Sequence, residues 1–306
     1  MSLFPPIFRA TKRRRTNLAV TAVTAVTALA LTGCGLTGSS ADASGDDKTI
    51  SIIVTETAPF QQPTEIAKEL LAEEGWTLEP TYVTDIVQPN EVVSQGEYDA
   101  NFFQHAAYLR QFNSDNDTDV VPGFGVYYTP SGIFSLNHDS YEDLPDGATI
   151  ALPVDRSNNG RALNILAQAG LIEIEDGIPI TQLSQEDVTD NPRNFEFVEI
   201  DQQSTARSLP DIDAGFSFTS LIAEAGYDPE ELQLGTEEIE DPFTFTVFVS
   251  VKDGEQDSAK TRALQEAYQS SEVEQWYEEW LGGVSNFSDE YNVDNVTERW
   301  QEFVAE

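Results

Sequence analysis

Residues 89–108 read PNEVVSQGEYDANFFQHAAY. Proline suits the first turn of a helix and glycine the left-handed residue after its end, so a short helix is expected from Pro89–Asn90 to Gly96. Tyr98 to Asn101 then form a brief strand, and Phe103, Gln104, His105 and Tyr108 stand where a new helix starts. Side chains that leave such a strand end line the crevice of an open α/β sheet. Taken singly, Phe103 and Tyr108 read as core residues and His105 as a satisfied buried histidine. Taken together, two aromatics, an amide and an imidazole read as a pocket wall.

The same grammar extends outward. Thr49 to Thr55 is a β-branched, apolar strand. Pro63 to Glu74 places Ile66, Ala67, Leu70 and Leu71 on one helical face, with Gly75 after it, and Thr77 to Val83 is extended again. Further strands are expected at Val120 to Thr129, Gly132 to Leu136, Ala148 to Val154, Phe195 to Ile200, Ala214 to Phe218 and Phe243 to Val251. Helices are expected at Gly160 to Ala169, Ser258 to Gln269, Glu272 to Leu281 and Val293 to Val304. Strands alternating with helices over 306 residues give an α/β chain large enough for two lobes.

A second stretch, Pro153-Val154-Asp155-Arg156-Ser157-Asn158-Asn159-Gly160-Arg161, carries a buried strand into capping residues and a helix. Backbone amides at a helix start favour an anion. Arg161 adds a guanidinium fork suited to a carboxylate, and its bland alternative is a salt bridge to one of the chain's many acids.

The amino terminus does separate work. Lys12 to Arg15 supply positive charge, Leu18 to Leu31 an apolar run shorter than the ~20 residues of a membrane span, and Leu31-Thr32-Gly33-Cys34 a small-residue ending. Residues 1–33 are read as an export signal on the general secretory route. Cys34, the sole cysteine, is read as a lipidation site, and residues 34–47, rich in Gly, Ser, Ala, Thr and Asp, as a flexible tether. All 54 acidic residues follow Cys34, against 11 of the 16 basic ones, an excess of 43 negative charges. Such a surface repels nucleic acid and anionic lipid, so no nucleic-acid partner is expected.

The run at 89–108 resembles the segment PNxALxxGxxDANxFQHxxYL of the methionine-binding lipoproteins, the MetQ/NlpA family of substrate-binding components of ABC importers. Asn158, Gly160 and Arg161 match the family's NxGR element. The resemblance implies the two-lobed type II periplasmic-binding-protein fold, with inter-lobe crossovers near Tyr127 to Gly132 and Pro242 to Thr246. Lobe 1 is then 48–128 with 245–306, and lobe 2 is 129–244. It implies a lipid-anchored receptor on the extracytoplasmic face of the membrane, delivering methionine or a related amino-acid-like ligand to a permease and its ATPase. Arg161 takes the carboxylate-binding role and Asn158 a supporting one, with Phe103, His105 and Tyr108 as further binding residues. An ungapped alignment puts Phe218 and Phe245, which complete the set of expected binding residues, where the family has asparagine, and Ile86 where it has tyrosine. These departures leave open a compensating acid or a different, more apolar ligand.

Enzyme readings lack their signatures: there is no GxSxG elbow, P-loop, HExxH or Rossmann glycine pattern, and only His105 and His138 offer imidazoles. Asp115 to Asp119 mimics the opening of a calcium loop, but Val120 stands where glycine is needed. No cofactor and no metal is expected. The alternative from another class is a surface lipoprotein acting as adhesin or scaffold.

Overall fold

In the computed structural model, residues 48–128, 131–238, 241–281 and 286–305 are described, so Cys34 and the expected signal and tether lie outside them. The chain begins with β1 (Thr49–Thr55), α1 (Ala58–Glu73), β2 (Thr77–Val83), α2 (Gln88–Ser94), β3 (Ala100–His105), α3 (Ala106–Asn116) and β4 (Val120–Tyr128). It continues with β5 (Ser131–Phe134), β6 (Thr149–Pro153), α4 (Arg156–Gln168), β7 (Glu173–Ile174), β8 (Val188–Asp190), β9 (Glu196–Ile200), α5 (Gln202–Ser208), β10 (Ala214–Phe218), α6 (Thr219–Glu224), α7 (Pro229–Leu232) and β11 (Gln233–Thr236). Then follow β12 (Thr246–Lys252), α8 (Ala259–Tyr268), α9 (Ser271–Leu281), β13 (Asn286–Phe287) and α10 (Val296–Ala305).

Two mixed sheets result, ordered β13-β4-β12-β3-β1-β2 and β11-β5-β10-β6-β9. They share one plan. In the first, β2, β1 and β3 run parallel and β12 is antiparallel to β3; in the second, β9, β6 and β10 run parallel and β5 is antiparallel to β10. In each, the antiparallel neighbour is the first strand the chain forms after leaving the other sheet. This is the two-lobed type II binding-protein fold. Each sheet has its own apolar core, one around Ile52, Phe102 and Phe248, the other around Ile150, Leu163 and Phe216.

Several boundaries differ from the sequence expectation for identifiable reasons. Helix α1 starts at Ala58 rather than Pro63 and carries Pro63 inside it. Proline cannot donate to the carbonyl four residues back; here the Tyr277 hydroxyl donates to Pro59 O at 2.6 Å instead. Strand β3 runs on through Phe103, Gln104 and His105, where a helix start was expected, because Gln104 and His105 pair with β12. Helix α4 begins at Arg156, four residues before the expected Gly160, because the Asp155 side chain caps it by accepting from Asn158 N at 3.0 Å. The expected strand start at Phe243 is instead a single helical turn, Pro242–Phe245, with Asp241 accepting from Phe243 N.

Candidate functional site

In open α/β sheets the carboxyl ends of parallel strands face the crevice, and here both sheets contribute those ends to one cavity. Thr55 ends β1, His105 ends β3 and Phe218 ends β10, while α4 and α5 begin just past β6 and β9 and bring Asn158, Arg161 and Gln202. Tyr127 comes from β4, and Phe245 from the turn before β12. The cavity, about 50 Å³, is thus walled by all seven sequence-expected binding residues, Phe103, His105, Tyr108, Asn158, Arg161, Phe218 and Phe245, together with Ile86.

Strand β3 carries a bulge opposite Phe248–Val249, where Gln104 pairs with Phe248 and Phe102 with Val249. Such a bulge breaks the strict alternation of side chains, and Phe103, Gln104 and His105 all reach the cavity lining. Phe103 meets Tyr108 edge-on at 5.7 Å, and the Tyr108 hydroxyl donates to Ile86 O at 3.0 Å. Gln104 is tied into a buried amide network. Its Nε2 donates to Asn90 Oδ1 at 2.6 Å and to Asn101 Oδ1 at 3.0 Å, and Asn90 Nδ2 returns a bond to Gln104 Oε1. The asparagines and glutamine of the 89–108 run therefore pin α2 to β3.

His105 sits at the hinge of strand and helix. Its Nδ1 accepts from Tyr108 N at 3.1 Å, which caps α3, and its Nε2 lies 3.1 Å from Asn158 Oδ1. The neutral imidazole protonated on Nε2 satisfies both partners. Burial, followed by the nearby Arg161 charge, lowers its pKa from 6.5 to about 3, against the opposing bond to Asn158. Asn158 Nδ2 donates onward to Asp155 Oδ1 at 2.9 Å and Gln202 Oε1 at 3.2 Å.

Both anion positions expected at α4 are held by the chain's own carboxylates. Asp155 Oδ1 accepts from the helix amide Asn158 N, and burial raises the Asp155 pKa. Arg161, 1% exposed, donates through Nε and Nη2 to the two oxygens of Glu237. Glu237 also accepts from Ser131 N at 2.8 Å and from the Tyr128 hydroxyl at 3.1 Å. The Arg161 guanidinium lies 3.8 Å over the Phe245 ring and 5.5 Å from that of Phe218. Gly160 of the NxGR element has a packing role, because a Cβ there would run into Ile180 O.

A model of the NlpA lipoprotein family matches residues 50–285. The chain belongs to that family. Among its NlpA-type relatives, the methionine-binding lipoprotein MetQ of Bacillus subtilis is 32% identical over 250 residues, covering 81% of this chain and 90% of that one. A nutrient-binding protein from Burkholderia cenocepacia, solved bound to methionine, superposes with a TM-score of 0.73 at 27% identity, covering 78% of this chain and 99% of that one. A periplasmic substrate-binding protein of an ABC transporter from Coxiella burnetii gives 0.72 at 28% identity, with 78% and 100% covered. The relatives named here are binding proteins rather than enzymes.

Sequence reasoning missed further members of this site, four of them polar or aromatic groups from separate elements. Thr55, Tyr127 and Gln202 line the cavity, and Glu237 holds Arg161. Thr55 and Gln202 could have been found as the residues at the end of β1 and just past the end of β9. Nothing in the sequence distinguishes Glu237 among 54 acids.

Proposed function

We propose that this chain is the lipid-anchored solute receptor of an ABC importer. It binds methionine or a related small amino-acid-like ligand between its lobes and delivers it to a permease driven by an ATPase. Lobe 1 comprises 48–128 and 245–306, lobe 2 comprises 129–244, and Cys34 carries the lipid that holds the protein on the extracytoplasmic face of the membrane. Phe103, His105, Tyr108, Phe218 and Phe245 supply aromatic walls, while Asn158 and Arg161 supply the polar end.

The observation that carries this reading is the convergence of the seven residues, drawn from strands β3 and β10, helices α3 and α4 and the turn before β12, on one cavity in a chain of the NlpA lipoprotein family. Ligand pockets commonly have this make-up, mostly apolar walls with a few placed polar groups. Relatives whose names state methionine binding support the ligand class.

The test is to denature protein purified from its native membrane, identify any released solute by mass spectrometry, and measure thermal shifts with methionine and related compounds. A ligand that binds only the folded state raises Tm by mass action. A protein that releases no solute and shows no shift with any amino-acid-like compound refutes the receptor reading and favours a scaffold.

A further inference from the structure

Building on the receptor reading, we infer that Thr55 sets the ligand specificity of the cavity by hydrogen-bonding an uncharged polar atom at the far end of the ligand's side chain. The site then rejects hydrocarbon side chains of the same length. Thr55 is 2% exposed, and its Oγ1 is buried without a hydrogen-bond partner. Several buried side-chain oxygens share that state among the described residues, but Thr55 is the only one of those residues that lines the cavity. Buried hydroxyls are normally paired, and a threonine commonly finds a nearby backbone group. Here the next two amides are committed elsewhere, Glu56 N to Val83 O at 2.8 Å and Thr57 N to Thr55 O at 2.9 Å.

The sheet fixes which part of a ligand Thr55 can meet. Strands β12, β3 and β1 are consecutive in the first sheet. Val247, near the start of β12, pairs with His105 on β3, and Phe102 on β3 pairs with Val54, the neighbour of Thr55. Phe245, in the turn just before β12, carries the Arg161 guanidinium over its ring. Thr55 therefore stands two strands from that end of the cavity, roughly 10 Å away at about 4.8 Å per strand. With the amino-acid end of the ligand at Asn158 and Arg161, an unbranched side chain of methionine's length points across β3 towards Thr55.

The facing lobe supplies matching chemistry. Gln203 and Leu221, like Thr55, line both the cavity and a larger cleft of about 670 Å³, so the three form the partition between the two spaces. Gln203 brings a side-chain amide to this end, and Ser220, which also lines the cavity, a second hydroxyl. These groups are uncharged, so they suit a neutral amide, hydroxyl or thioether. A hydrocarbon end would leave the Thr55 hydroxyl unpaired in the bound state as well. A site built around a hydrogen bond discriminates against the ligand that lacks it.

The experiment uses full-length protein in detergent and measures L-methionine, L-glutamine and L-norleucine by calorimetry, amino acids of similar length that end in a thioether, an amide and a hydrocarbon. Norleucine is expected to bind at least about tenfold more weakly than the better of the other two. Thr55→Val, which removes the hydroxyl at nearly constant shape, is expected to narrow that ratio to within about threefold, whereas Thr55→Ser keeps it. Norleucine binding as tightly as the better of the other two overturns the inference and leaves the receptor reading standing. A folded Thr55→Val protein that keeps the full ratio, or a folded Thr55→Ser protein that loses it, also overturns it; if the variants fail to fold, the ranking on the unsubstituted protein decides alone. If none of the three compounds binds, the solute released on denaturation decides. A solute with a polar-ended side chain supports the inference, one with a hydrocarbon side chain overturns it, and the absence of any solute refutes the receptor reading and the inference together.

Discussion

Lowering the pH from about 7 to about 5 is expected to cost the folded state about 2 kcal/mol through His105 alone. The unfolded imidazole titrates at 6.5, and in the fold its pKa is lowered to about 3. Between those values only the unfolded chain takes up the proton. The stability His105 contributes is therefore fully present above 6.5 and is lost progressively as pH falls towards 3. At about pH 5 the unfolded side chain binds the proton with a free energy of about 2 kcal/mol, whatever the folded value, provided it lies well below 5. The structural cause is explicit. A proton on Nδ1 would face the Tyr108 N–H that Nδ1 now accepts, in a site beside the Arg161 charge. Urea denaturation of the protein and of His105→Gln at both pH values isolates this contribution, because glutamine keeps a neutral acceptor and all other titrating groups are shared. The unsubstituted protein should lose about 2 kcal/mol more than the variant. Parallel losses in the two proteins would show that the imidazole is protonated in the fold and refute the reasoning.

Other predictions concern packing and anchoring. Gly160→Ala should destabilise the fold by roughly 1–3 kcal/mol, since its methyl group would meet Ile180 O and Leu183; a thermal melt reads this, and an unchanged Tm rules out the close approach. Tyr277→Phe should cost about 1–3 kcal/mol in chemical denaturation, because it strips a buried hydroxyl donor from Pro59 O, a carbonyl to which Pro63 cannot donate. Cys34→Ser should abolish lipid attachment, leaving unprocessed or released protein in fractionation. A processed Cys34→Ser protein that still sediments with membranes would contradict the anchor assignment.

Much of the architecture was legible because its signals are local. The strand limits Thr49–Thr55, Thr77–Val83 and Ala214–Phe218 follow from β-branched or apolar runs ended by polar or turn residues, and the structure has the same limits. The 89–108 run pointed to a pocket wall, and Phe103, His105 and Tyr108 do line a cavity. What misled were places where a distant partner overrides a local rule. Pro63 sits inside a helix because a tyrosine more than two hundred residues away takes over the carbonyl it leaves free, and β3 extends to His105 because β12 pairs with it.

The sequence by itself determined the α/β alternation, the likeness to one family and the residue types at the cavity, since these depend on short-range periodicity, capping and motif spacing. Tertiary structure alone decided the electrostatic state of that cavity. Which of 54 acids faces Arg161 depends on how two segments, 131–161 and 233–238, fold together through β5, β11 and α4. The pairing of charges distant in the chain is a consequence of packing, and a buried charge without a partner is too costly for its position to be read from composition.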